Sequence, residues 1–574
     1  MKSVLCLIAF ILFCTNAGIG QVIFNNMAYQ LNIDEWESSL GVAIIDLNDD
    51  CSNEIFVTNM TTQDRLYFWQ DSLYVDLAPL YGVNQTLFHH NVCIADIDKD
   101  LRPDLYVTGD PNGNIGKYYL NRGYPPFTDM AQQYNLRQVQ DMGSTFFQMT
   151  RFAPLSGIIG GHLMVWHDTA FIDVTQGSGL ESMYNVHCPL CFDIDGDTDD
   201  DIFIAGNYTS NSGRLFRNNG NGTFTDISTN TNQGGFPVGQ GATMGDIDND
   251  GDFDLYITSG FDQNSMWENN GSGFFVNVTA QSNTGVGGYS RSACFGDFDN
   301  DGSVDLFVNR ANDYNVLFHN DGTGVFTDIS RQAGVMDNYN GFGCATGDLN
   351  NDGQLDIIAV NYNGDQNQVY INQGNSNSYV RIKLLGLERN SLALGGIIRL
   401  YGINADYSDT VFLGIREIQS LTTMFSVNEP IAHFGTQQYQ NLMADVIFQS
   451  LNHIIVGDLI PGNTYYISER PTAIDEQSSS LPHKYMAMSA YPNPFNNSVK
   501  NSAVCNTDGM LAITIYDLMG RQVKTAIIDV GETNRHSYTW DGKNDQGQQC
   551  PSGVYIVKAK SSQSQARIKI TYLK

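Results

Sequence analysis

Positive charge is scarce in this chain. Lys and Arg number 30 against 62 Asp and Glu, a formal net charge of −32. That balance argues against nucleic acid and anionic membrane surfaces as partners. Helical heptads are missing, and composition favours β structure. Beyond the N-terminal stretch no apolar run is long enough to span a bilayer. Catalytic signatures are missing too: there is no HExxH, no G-x-S-x-G elbow, no P-loop and no Ser/His/Asp constellation. Cys188-Pro-Leu-Cys191 has no second pair to complete a zinc site.

What is present is acidic and periodic. Gly245 to Thr258 reads GDIDNDGDFDLYIT, with Asp246, Asp248, Asp250 and Asp254 around Gly251. Carboxylates two apart on a tight turn converge on one hard cation, and Gly supplies the left-handed backbone that such a turn needs. Copies carry Asp297, Asp299, Asp301 and Asp305, then Asp348, Asn350, Asp352 and Asp356. Looser copies carry Asp46, Asn48, Asp50 and Glu54, then Asp96, Asp98, Asp100 and Asp104, then Asp193, Asp195, Asp197 and Asp201. Each is followed by an apolar strand, and oxygen-only ligands favour Ca²⁺ over Zn²⁺.

Between the loops an aromatic hairpin recurs, as in LFRNNGNGTFTDIS from Leu215 and LFHNDGTGVFTDIS from Leu317. Hairpins start at residues 66, 118, 163, 215, 266, 317 and 369. A period near fifty residues, with room for four strands, is the signature of a propeller. The third repeat is shortened and has no acidic residue between Asp141 and Asp168, so seven blades and six cation loops are expected. The seventh repeat lacks an outer strand. Phe24 to Ile33 matches the outer strand after Phe127, so the N-terminal segment is expected to close blade seven.

These DxDxDGxxD loops between four-stranded blades resemble the FG-GAP/VCBS repeats of integrin α-subunit propellers. The resemblance implies an all-β fold with a seven-bladed propeller and up to six structural Ca²⁺ ions, each bound between the first and second strands of a blade. Gly251, Gly302 and Gly353 accept positive φ freely, whereas Cys51, Leu101 and Thr198 hold that place in the first three loops. Those three are expected to bind the ion more weakly. The connections on the face opposite the loops vary between blades and carry His89, His90, Tyr184, His187, Phe236, Tyr289, Arg291 and Tyr339. Variable loops on a rigid scaffold are where binding usually resides.

The ends read differently. Residues 1–20 have one Lys, an apolar run and small residues, the pattern of a signal peptide. Residues 21–376 form the propeller and 377–470 a small β domain. The latter resembles the ASPIC/UnbV domain through Asn390, Gly395, Arg416-Glu417 and His433-Phe434-Gly435, although the serine-rich turn after Arg-Glu is altered. A polar linker spans 471–488. Residues 489–574 read as an Ig-like β-sandwich and resemble the C-terminal sorting domain of type IX secretion, related to FlgD-like modules. Tyr491-Pro492-Asn493-Pro494, Gly520-Arg521, Trp540-Asp541-Gly542 and Ser552-Gly553-Val554-Tyr555 carry that likeness.

The expected function is a secreted or surface-displayed, non-catalytic binding or adhesion protein. Its partner would be an extracellular protein or glycan, with type IX machinery recognising the C-terminal domain. Two alternatives are an extracellular polysaccharide lyase or hydrolase built on the propeller face and a passive surface scaffold. Fold alone does not choose among them.

Overall fold

Each repeat folds as an antiparallel four-stranded sheet. In the first, Ser39–Ile45 is innermost, followed outward by Glu54–Asn59, Arg65–Gln70 and Leu73–Asp76. The two inner strands are buried along their whole length, because neighbouring blades cover both faces. The two outer strands are only partly buried.

This computed structural model describes residues 22–574, apart from 71, 87, 110–115, 137–141, 151–153, 184–185, 207–211, 388–389, 404–409, 451, 470–485, 492–498, 506–508, 518–520, 531–534, 561–564 and 573–574. The expected signal peptide, most of the expected linker, and Tyr184 therefore lie outside the described residues. Among the described residues, no helix is long and apolar enough to cross a membrane.

Seven four-stranded sheets form the propeller. The seventh combines Gly341–Gly347, Asp356–Asn361 and Gln368–Asn372 with Phe24–Asn26 from the other end of the repeat region. Phe24 pairs antiparallel with Asn372, and its buried ring meets Phe298 and Tyr370 edge-on at 5.7 and 6.5 Å. A repeated Asn stitches the blades together. Asn121, Asn269, Asn320 and Asn372 each donate a side-chain N–H to a carbonyl in the preceding blade's acidic loop, at 2.7 to 2.9 Å.

Innermost strands approach so closely that side chains are excluded at some positions. A Cβ on Gly241 would stand 2.5 Å from the Arg291 carbonyl, and one on Gly41 would stand 2.7 Å from that of His90. Cysteine also occupies these strands: Cys93, Cys188, Cys191, Cys294 and Cys344 are buried and free. Cys188 and Cys191 sit three apart on one strand, which turns their side chains to opposite faces.

After the propeller, the chain forms two sheets. Ser378–Leu385 lies between Ala432–Gln437 and Asn463–Ser468, pairing with the latter in parallel. Ile397–Ile403 pairs with Thr410–Glu417 and Asn441–Ile447, and His453–Leu459 continues that sheet. The last region forms a sandwich. Gly509–Asp517, Gln522–Val530, Gly553–Lys560 and Gln565–Tyr572 make one sheet, over a core that includes Trp540 and Tyr555. Its first strand, Met486–Tyr491, begins slightly ahead of residue 489.

One connection of the second domain leaves its sheets entirely. Gln419 to Asn428 enters the axial channel of the propeller. Ile44 N–H donates to the Val427 carbonyl at 3.1 Å, and Val427 N–H returns to Val42 at 2.9 Å. Ser420 Oγ donates to the Ile94 carbonyl at 2.6 Å, and Glu429 N–H donates to Thr346 at 2.9 Å. At the tip Phe425 is fully buried with φ 62°, its ring stacked on Phe342 at 5.7 Å. This plug is the altered turn noted in the sequence.

Candidate metal loops and the opposite face

In every acidic loop the backbone is held by the carboxylates themselves. The N–H of the sixth residue donates to the first carboxylate, as in Gly251 to Asp246 at 3.1 Å and Thr198 to Asp193 at 3.0 Å. That sixth residue has positive φ throughout: 66° at Cys51, 70° at Leu101, 74° at Thr198, and 82 to 97° at Gly353, Gly302 and Gly251. The ninth carboxylate fastens the loop to the hairpin. Asp254 accepts from Ile247 N–H at 2.9 Å and from Asn269 N–H at 2.8 Å, and Asp104, Asp201, Asp305 and Asp356 repeat the pattern. Glu54 reaches Leu47 N–H in the same way at 2.6 Å. The ninth position therefore shapes the loop, whatever it lends to an ion.

Among the described residues, ligand atoms of Asp96, Asp98 and Asp104, of Asp193, Asp195 and Asp197, and of Asp246, Asp248 and Asp250 lie within 4.8 Å of one another. A fourth cluster joins Asp299 and Asp301 to His319. Such crowding resists ionisation. Burial first, then neighbouring carboxylates, push Asp246 up to about 7 and Asp297 and Asp299 up to about 8. Burial lifts Glu54 to about 9. Buried Asp46 Oδ1 and Asp195 Oδ1 meet no hydrogen-bond donor. Converging carboxylates with unmatched oxygens fit a hard divalent cation, which would supply the missing positive charge.

His319 was not singled out by sequence reasoning. Its Nδ1 lies 3.0 Å from Asp305 Oδ1 and 3.5 Å from Asp299 Oδ2. The Asp305 hydrogen bond raises its pKa to about 9. The available signal was its place in the hairpin LFHN, where the matching repeats have Arg217 and Glu268.

The second domain covers this loop face. Arg381 bonds Asp348 at 2.8 Å and also contacts Glu429. Ser391 Oγ bonds Asp96, and Lys383 lies 3.8 Å from Asp46. Gly435 N–H donates to Asp297 Oδ2 at 2.7 Å, and His433 Nε2 lies 3.1 Å from the Gly353 carbonyl. Glu417 accepts from Asp193 N–H at 3.3 Å. Arg416 is desolvated, which lowers its pKa, while Asp297 and Asp246 hold it up. Of the residues that carried the likeness to the ASPIC/UnbV domain, Glu417, His433 and Gly435 bond the acidic loops and Arg416 lies in the field of Asp297 and Asp246. In blade three, which has no such loop, Asn390 reaches Gln148 at 3.1 Å instead.

On the opposite face the proposed residues separate. His89 is fully buried, with Nδ1 against Asp64. Phe236 is buried among Phe203, Trp267 and Phe275, at ring distances of 5.1, 5.0 and 5.6 Å. Neither reaches the surface, because their connections dive between blades. His90 and His187 lie close at the channel mouth, where burial and then His90 depress His187 to about 4. Tyr289 and Arg291 come together, with the guanidinium 5.0 Å from the ring centre. Tyr339 is half-buried nearby, and its carbonyl accepts from Asn312 N–H at 3.0 Å. Phe342 and Tyr362, not foreseen, complete the group, at 4.1 and 5.6 Å from the same guanidinium.

Residues 193–257, 246–308 and 297–359 match the FG-GAP-like repeat, and residues 507–565 match the FlgD Ig-like domain. The chain is similar to cartilage acidic protein 1 of Xenopus tropicalis, at 29% identity over 332 residues, covering 54% of this chain and 46% of that protein. The Mus musculus protein of the same name is 25% identical over 311 residues, covering 50% and 42%. The chain spans less than half the length of these curated relatives. Among solved structures, PorZ is described as an essential bacterial surface component of the type-IX secretion system of Porphyromonas gingivalis. It matches at 11% identity and TM-score 0.20, over 94% of this chain and 82% of that one. The SapL1 lectin in complex with alpha methyl fucoside matches at 10% and 0.30, over 60% and 97%.

Proposed function

We propose that this chain is a secreted or surface-displayed, non-catalytic binding protein whose ligand meets the face opposite the acidic loops. One observation carries the reading. The second domain packs over the loop face and fills the channel from that side, so the other face is the broad open one. There Trp36, Phe261 and Tyr314 are exposed, an arrangement suited to recognition. Up to six Ca²⁺ ions would hold the loops, and Asp246, Asp248 and Asp250 are representative ligands. The region from 489 would serve as the type IX sorting signal. The domain limits 21–376, 377–470 and 489–574 are part of this reading.

An array of extracellular polysaccharides and matrix proteins tests it. Trp36→Ala, Phe261→Ala and Tyr314→Ala combined should abolish capture. Tyr29→Ala, Leu80→Ala and Ile172→Ala on the outer strands and turns should leave capture intact. The reverse pattern would refute the assignment of the face.

A further inference from the structure

The innermost strands place equivalent residues around the channel mouth. Counting six residues back from the first loop carboxylate gives His90, His187, Gln240 and Arg291 in blades two, four, five and six. Leu40 and Phe342 hold the place in blades one and seven. Blade three contributes Met142, since a Cβ on Gly143 would meet the His187 carbonyl at 2.3 Å, as one on Gly41 meets that of His90. The ring is polar from His187 through Gln240 to Arg291 and apolar at Phe342 and Leu40, with His90 and Met142 between those arcs. Its floor is the plug tip, where the Phe425 ring stacks on Phe342 and meets His90 edge-on, both at 5.7 Å.

Arg291 is the exceptional member. Its Nε and Nη1 are shielded from water yet meet no acceptor, and three aromatic rings surround its guanidinium. In a chain with net charge −32, a guanidinium with unused donors is conspicuous. On the neighbouring blade Gln240 is 1% exposed, and its Oε1 also lacks a partner. Buried polar groups left unmatched are costly, so a ligand that satisfies them recovers that cost. The Arg291 guanidinium offers N–H donors to a carboxylate, and Gln240 Oε1 accepts from a hydroxyl. Tyr289, Tyr362 and exposed Phe261, whose ring meets Tyr289 at 5.8 Å, present flat apolar faces beside that edge. A ring carrying a carboxylate, hydroxyls and an apolar C–H face matches this set. Each innermost strand is paired within its blade along one edge only, and in blade one the plug pairs with the other, Ala43 against Val427.

We propose that the mouth of the channel is a binding site for the uronic-acid residue of an acidic polysaccharide, with Arg291 engaging the carboxylate. The site rests on the reading of this face as the ligand face.

Calorimetry on the full calcium-loaded chain tests it, with tri-galacturonate, the neutral galactose trimer and a Glu-rich peptide as probes. The acidic trimer should bind, and the other two should bind more than tenfold more weakly. Arg291→Gln should cost more than tenfold in affinity, and Arg291→Lys less. Both variants should keep the wild-type melting temperature. If Arg291→Gln unfolds the protein, Gln240→Met supplies the measurement, with a severalfold loss expected. Equal binding by a folded variant, absence of uronate binding, or preference for the peptide would each overturn the proposal. If array capture still depends on Trp36, Phe261 and Tyr314 while Arg291→Gln changes nothing, the ligand face stands and the uronate site falls.

Discussion

Arg381 Nη1 donates to Asp348 Oδ2 at 2.8 Å, so a cation of the second domain sits on the first carboxylate of the sixth acidic loop. The same guanidinium holds Glu429, which accepts from Asp348 N–H at 3.1 Å. Docking of the second domain and the state of the propeller's loops are therefore parts of one charge network.

Removing Arg381 should expose that coupling. Arg381→Met leaves two buried carboxylates without their counter-ion, a loss of about 3–5 kcal/mol in a buried pair. The melting temperature in excess Ca²⁺ should fall by several degrees. Adding Glu429→Gln to the Arg381→Met chain should recover part of the loss. If the two changes simply add, the residues are not coupled.

Chelation should destabilise the ring. EDTA should lower the melting temperature by many degrees and Ca²⁺ should restore it, since each site at a hundredfold excess over its dissociation constant contributes about 2.7 kcal/mol. The loops should empty in order. Cys51, Leu101 and Thr198 occupy positive φ without being Gly, at a cost of about 1–3 kcal/mol each. Thr198→Gly should tighten one class of site in a calcium titration. Six equivalent sites in the wild-type chain would contradict the ranking.

Acid should act through His187. Burial and the adjacent His90 depress its pKa from 6.5 to about 4. A depressed histidine favours the folded state above the unfolded pKa, and that advantage disappears as pH falls from 6.5 through 4. The native site resists the proton that the unfolded chain accepts. The wild type should lose about 3 kcal/mol more than His187→Gln over that window, the size set by the shift. Parallel curves for the two proteins in denaturant titrations at stepped pH would exclude this role.

The plug can be blocked from the propeller side. A Cβ on Gly343 would come within 2.5 Å of Ser426 Oγ and 2.6 Å of the Leu40 carbonyl. Gly343→Val should expel residues 419–428, and limited proteolysis should cut there in the variant but not in the wild type. Continued protection of the segment would show that the channel accommodates the added bulk.

Repetition made most of the propeller legible. A pattern seen six times, such as Asp246 with Asp248, Asp250 and Asp254, carries its own control. The seven sheets follow from the hairpin period. Single-copy contacts left no such trace. Arg381, Ser391 and Phe425 occur once each, and no spacing announces that the second domain lies on the acidic loops or sends a turn down the axis. His89 and Phe236 looked like surface residues because they sit in variable connections. Their burial depends on how adjacent blades pack, which local pattern does not encode. Arg291 was visible, but its aromatic surroundings come from Phe342 and Tyr362 on the next blade.

The pairing of Phe24 with Asn372 also sets a timetable. The strand that seals the ring is the earliest part of it to be synthesised, and its mate follows roughly 350 residues later. At ribosomal speeds of about 5–20 residues per second, that interval lasts roughly twenty to seventy seconds. Throughout it the outer strand Phe24–Asn26 has no partner strand and the axis has no plug. Whatever guards the nascent chain must therefore shield that unpaired strand until Gln368–Asn372 has emerged. A lesion that stalls synthesis there would be more damaging than one of equal length inside an early blade.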